Sequence, residues 1–169
     1  FSVSGTSSFN NIIPSANAVP SIGSATAYFN NVYAVNFLGT STTAKYADLA
    51  ERYASDMIYE VGTLVKLGGE MEVTATGTVA DEDVFGVVSG KPAYLMNSDA
   101  GNDETHPAIA LKGRVPVKVT GAVNKGDRLV AGPFGTAVRA TLEYYADTFA
   151  VALESSSDEN IKTIEAIIL

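Results

Sequence analysis

The chain has no cysteine, no tryptophan and one histidine, His106, among its 169 residues. The missing cysteine removes disulfides, thiolate metal sites and thiol nucleophiles together. Any Ser-His-Asp triad would have to run through His106, which precedes Pro107 without a partner motif and reads as a loop residue. No apolar run approaches the ~20 residues that cross a bilayer, so membrane insertion is not expected. Basic charge is scarce too, with 11 Lys and Arg against 19 Asp and Glu and a net charge of −8. That balance argues against nucleic acid, whose phosphates call for clustered Lys and Arg. GGEMEV and AGPFGT lack the spacing and the Lys-Ser/Thr pair of a phosphate loop, and no cofactor is expected.

What is present points to β-structure. Hydrophobic residues make up 46% of the chain, only 18% are charged, and fifteen are glycine, a composition that suits strands better than a helical bundle. The length allows one ordinary domain plus an appendage. The chain opens on Phe1 rather than Met, and we read it as part of a longer polypeptide.

Residues 1–43 form the first of three segments and contain no Asp, Glu, Lys or Arg. Their apolar residues are too scattered for one copy to offset its ordering entropy. Disorder is one outcome. Regularly spaced aromatics favour the other, in which several copies wrap together and share a core. Within FNNVYAVNF, Tyr33, Val35 and Phe37 alternate on one strand face, the face such copies would bury.

Residues 44–56 are predicted to be a short connecting helix. In KYADLAERYASD, Tyr46, Leu49, Ala50 and Tyr53 recur at helical spacing and Thr43 can cap the start. Asp48 and Arg52 would then pair at i, i+4. Asp48 and Glu51, three apart on such a helix, would bring two carboxyls close enough to share a proton and act as acid and base. The plainer reading is a solvated helix face.

Residues 57–169 read as a compact β-barrel or sandwich, with nine strand-like runs punctuated by Gly, Asp and Asn: VGTLVKL, EMEVTAT, DVFGVVSG, PAYLMN, AIALKGRVPVKVTG, DRLVAG, GTAVRA, TFAVALES and IKTIEAIIL. Val115, Val117 and Val119 share one face, and Pro116 between them suggests an edge strand or a bulge. The region looks internally doubled. At an offset of 64, Gly62 meets Gly126, Val65 meets Leu129, Gly68 meets Gly132, Asp83 meets Asp147 and Phe85 meets Phe149. The 97–106 loop, NSDAGNDETH, has the oxygen density of a Ca²⁺ loop without its spacing, and is read as a polar surface loop with no metal site. Tyr53, Tyr94, Phe134, Tyr144 and Tyr145 are either core or a sugar-stacking surface.

Two blocks carry a resemblance. SIGSATAYFNNVYAVNFLGTSTTAKYADLAERY resembles the junction in bacteriophage tail-fibre and appendage proteins where a trimeric shaft meets a C-terminal domain. YEVGTLVKLGG, FGVVSGKPAYLMN, GRVPVKVTGAVNKGDRLVAG and IEAIIL resemble the β domain that follows it. The resemblance spans about residues 20–169. It implies a virion component, a homotrimer with an intertwined β-shaft over 1–43, and a head that registers the three chains. Tyr46, Leu49 and Tyr53 would join Tyr33, Val35 and Phe37 in trimer packing. Host-surface glycan or protein would be a further partner. In some related proteins the domain is an intramolecular chaperone that cuts itself free with an acidic pair of the glutamic-peptidase kind. Asp48 and Glu51 fall on the acids of that "ADxAE" motif, although the chain continues RYASDMIYE instead of with the usual aromatic, acidic run. An enzymatic role would be confined to that self-cleavage.

Overall fold

The computed structural model describes residues 47–169 apart from Glu82 and Asp83, together with scattered positions from Gly5 to Ala34. The chain divides into two compact units, Phe1–Thr40 and Ser41–Leu169. In the first, Ser24 closes a small turn on Ala27. Its described apolar residues Ile13, Ile22, Phe29, Val32 and Tyr33 all lie exposed.

The second unit holds ten strands: β1 (Asp48–Arg52), β2 (Leu64–Leu67), β3 (Val73–Ala75), β4 (Val84–Val88), β5 (Tyr94–Met96), β6 (Ala108–Val119), β7 (Arg128–Ala131), β8 (Ala137–Arg139), β9 (Ala150–Ala152) and β10 (Lys162–Ile168). Each of the nine runs expected to be strands after residue 57 is one. The expected helix over 44–56 is not. Asp48–Arg52 is a strand, antiparallel to β6 on one side and parallel to β5 on the other. Two partnered edges outweigh the helical spacing, because a helix this short has little stability of its own.

Five strands close a barrel in the order β6, β10, β9, β7, β8, with Val119 of β6 meeting Ala137 of β8 in parallel. The first half of the unit repeats this ring. Strand β1 pairs with β6, then β4, β2 and β3 follow, and the isolated bridge from Ser55 to Val73 closes the circuit in parallel. The 12-residue β6 serves both rings, its N-terminal half ending the first and its C-terminal half beginning the second.

The doubling read from the sequence extends to hydrogen-bond register. Val65 faces Ala75 as Leu129 faces Arg139, and Leu67 faces Val73 as Ala131 faces Ala137. Leu64 pairs with Val87 as Arg128 pairs with Val151. Gly62 N–H donates to Val88 O at 2.8 Å, and Gly126 N–H to Ala152 O at 2.9 Å. All of these stand 64 residues apart; Asp83, another position of that alignment, lies outside the described residues. Between β6 and β10 the offset drops to 57, because the first copy has a longer connection, which forms β5.

The cores follow the same rule. The smaller cluster holds Val65, Val73, Val88 and Ile109 with Tyr53, Tyr59, Phe85 and Leu111 against it. The larger holds their counterparts Leu129, Ala137, Ala152, Ala166, Val117, Val123, Phe149 and Ile168. Val115, Val117 and Val119 all point inward, as their alternation predicts.

Pro116 corrects one detail. Its strand is central, not an edge. On the side of β6 away from β10, Arg114 N–H donates to Ala47 O and Lys118 N–H to Gly62 O. Proline lies between these two contacts and has no N–H to leave unpaired there.

Candidate functional site

Strand β1 carries the residues of interest, and its conformation decides what they can do. Residues three apart on a strand point to opposite faces. Asp48 and Glu51 therefore do not form the close carboxyl pair expected of one helix face. Asp48 sits opposite Gly113 and is only 5% exposed. Its Oδ2 is buried without a hydrogen-bond partner, a situation that costs about 1–3 kcal/mol or more for a charged group.

Glu51 instead accepts a 2.7 Å hydrogen bond from the Tyr53 hydroxyl, and the Tyr53 ring stands edge-on to Phe85 with centroids 4.8 Å apart. Burial, followed by the hydrogen bond to Glu51 and the charges of Glu51 and Glu72, pushes the Tyr53 phenol up to about 12. Nearby, Tyr59 donates to Asp56 at 2.5 Å, and burial together with that bond raises its pKa as well. Glu72 accepts from Ala54 N–H at 2.7 Å. The counterparts of Glu51, Tyr53 and Tyr59 in the second barrel are Val115, Val117 and Val123. The first barrel is thus lined partly by acids and phenols where its twin is aliphatic.

The expected Asp48–Arg52 pair does not form. Arg52 donates to Asp103 Oδ1 at 2.8 Å and to His106 O at 2.6 Å. Asn97 reaches back to Arg52 O, and Asn102 Oδ1 accepts from Glu104 N–H and Thr105 N–H. An arginine clamp and an Asn turn therefore organise the 97–106 loop. Among the described residues no three His, Cys, Asp or Glu side chains gather as a metal site.

A cleft of about 660 Å³ opens beside Asp48. Arg114 and Pro116 project from β6, Glu165 from β10 opposite Pro116, Lys91 from the connection after β4, and Val61 from the turn before β2. Its floor follows the stretch of β6 around Pro116, between the contacts to Ala47 and Gly62. The walls come from elements far apart in the chain, so no local pattern announced them; the proline inside an alternating run was the one visible sign.

Three of the residues expected at a trimer interface lie among the described positions. Tyr33 is 93% exposed and Leu49 is 39% exposed. Tyr53 packs against Phe85 of its own chain. Val35, Phe37 and Tyr46 lie outside the described residues. The aromatic set does not form a single platform: Tyr94, Phe134 and Tyr145 are exposed, Tyr53 belongs to the first core, and Arg128 stacks over Tyr145 at 4.8 Å.

No family model and no curated protein matches the sequence. Solved structures do. The pre-mature bacteriophage phi29 gene product 12 aligns with a TM-score of 0.57 at 14% identity, over 78% of this chain and 23% of that one. The C-terminal fragment of the same phi29 protein aligns with a TM-score of 0.55 at 13% identity, over 72% of this chain and 100% of the fragment. The chain shares its fold with that phi29 fragment. The chain spans about a quarter of the whole neighbour and all of its C-terminal fragment.

Proposed function

We propose that this chain is the C-terminal part of a trimeric phage tail fibre or appendage, a structural virion component whose twin-barrel head sets three copies of segment 1–43 in register. The observation that carries this reading is the alignment with the phi29 fragment over that fragment's entire length. The exposed apolar side chains of the first unit, Tyr33 foremost, add support, since each would find cover against sister copies. Registration is a physical need. A shaft with thin apolar stripes has many near-equivalent slips, and a folded head that holds the chains together removes them at a single entropic cost. Contact with a host surface, glycan or protein, is the further role of such a part.

Light scattering on the purified chain tests the proposal. The expected mass is three times 17.6 kDa, with residues 1–46 unfolded or aggregated when 47–169 are deleted. A monomer would overturn it.

A second reading, self-cleavage through Asp48 without the close Glu51 pairing that a helix would have given, draws support from the pre-mature form of the neighbour and from the one unpartnered oxygen of Asp48. Mass spectrometry of fresh and aged protein would then show a fragment beginning near residues 36–48, abolished in Asp48→Asn. An intact mass throughout eliminates it.

A further inference from the structure

The fibre reading gives the cleft beside Asp48 no role. Its volume lies within the ~300–1,000 Å³ usual for small-molecule sites. Its wall includes Asp48, which is 5% exposed and has one carboxyl oxygen without a hydrogen-bond partner. The charges around it are not part of the duplicated scaffold. By strand register Asp48 corresponds to Lys112, Arg114 to Ala50 and Glu165 to Ala108. None of these three charges recurs with its sign at the equivalent position of the other copy, so the set is an addition to the repeated frame.

We propose that this cleft binds a small molecule carrying a hydroxyl or ammonium donor within one sugar or amino-acid length of a carboxylate. The donor meets the Asp48 carboxyl group at the cleft wall, with Glu165 as the second acidic wall. Arg114 and Lys91, both exposed at the rim, take the carboxylate, Arg114 in the forked geometry that suits it. Val61 and Pro116 supply an apolar surface for the carbon frame. The cleft lies within one head and needs no second copy, so this proposal and the trimer can fail separately.

Isothermal titration of the full chain with two probes, sodium D-glucuronate and glycylglycine, tests it. Saturable binding of either is the expected result, glucuronate assigning the site to acidic sugars and glycylglycine to peptide ends. Asp48→Asn should weaken binding at least tenfold. Should that buried change impair folding, the exposed pair Lys91→Ala with Arg114→Ala should produce the same loss. Gly90→Leu should occlude the site, since even a Cβ at Gly90 would stand 3.0 Å from Val61 Cγ2. Absence of saturable heat with both probes overturns the proposal, as does binding that ignores both the rim pair and Gly90→Leu.

Discussion

Replacing Gly113 by alanine should unseat β1 from β6. Gly113 has φ +103, and an ideal Cβ there would lie 2.2 Å from Ala47 O and 3.0 Å from Asp48 Cα. The left-handed backbone alone costs an L-residue about 1–2 kcal/mol. The clash adds to this, because the closest tolerated approach is near 3.0 Å and the start of β1 must retreat by about 0.8 Å. The Arg114 N–H to Ala47 O bond is already 3.2 Å long and would break, a loss of about 0.5–1.5 kcal/mol, with the Asp48–Gly113 pairing weakened behind it. The backbone and hydrogen-bond costs sum to about 1.5–3.5 kcal/mol, and the steric displacement adds to them. Gly126 supplies the control, with φ +92 and nothing within 4 Å of its Cβ. Gly126→Ala should therefore cost only about the 1–2 kcal/mol of the backbone term. Urea unfolding reads both as midpoint shifts at unchanged slope. If Gly113→Ala is no more costly than Gly126→Ala, β1 does not lie against β6, and the ring built on it is wrong.

The remaining predictions concern the first barrel. The Tyr53 phenol titrates near 10 when unfolded and about 12 when folded. The folded state holds that proton more tightly, so the stability it contributes is complete below pH 10 and is lost as pH rises towards 12. Urea midpoints should fall across that window and fall less steeply in Tyr53→Phe; identical slopes would reject the assignment. Arg52→Ala should speed hydrogen exchange across 97–106 and cost more than Asp103→Ala, since Asp103 is exposed and its ion pair is worth at most ~1 kcal/mol, whereas Arg52 also serves the His106 carbonyl. Equal effects would mean that the ion pair alone holds the loop. Native-state exchange should show the Val88 amide opening before its counterpart at Ala152, because the first ring encloses the smaller core. Matched protection at the two positions would contradict this ranking.

Much of the architecture was legible in the residues. Alternation at Val115, Val117 and Val119 named an inward face, and glycines at 62 and 126 marked equivalent turns. Matching Gly62 with Gly126 and Val65 with Leu129 found a repeat whose hydrogen bonds coincide. The candidate site was less legible. Asp48 and Glu51 drew notice as acids, but their relation depended on whether KYADLAERYASD became helix or strand. The partner of Arg52, Asp103, lies 51 residues away, and the cleft draws on five separate parts of the chain.

Composition and period alone pointed to a β protein, located nine of its ten strands and suggested that its head is made twice, because side-chain alternation and turn glycines act over a few residues. The tertiary structure decided the fate of residues 48–56. Their spacing satisfies a helix, yet β5 and β6 offer backbone partners on both sides, and that pairing outweighs what two or three turns of isolated helix can supply. It also decided which charges meet, since contacts between distant strands are set by the closing of the rings and leave no local trace.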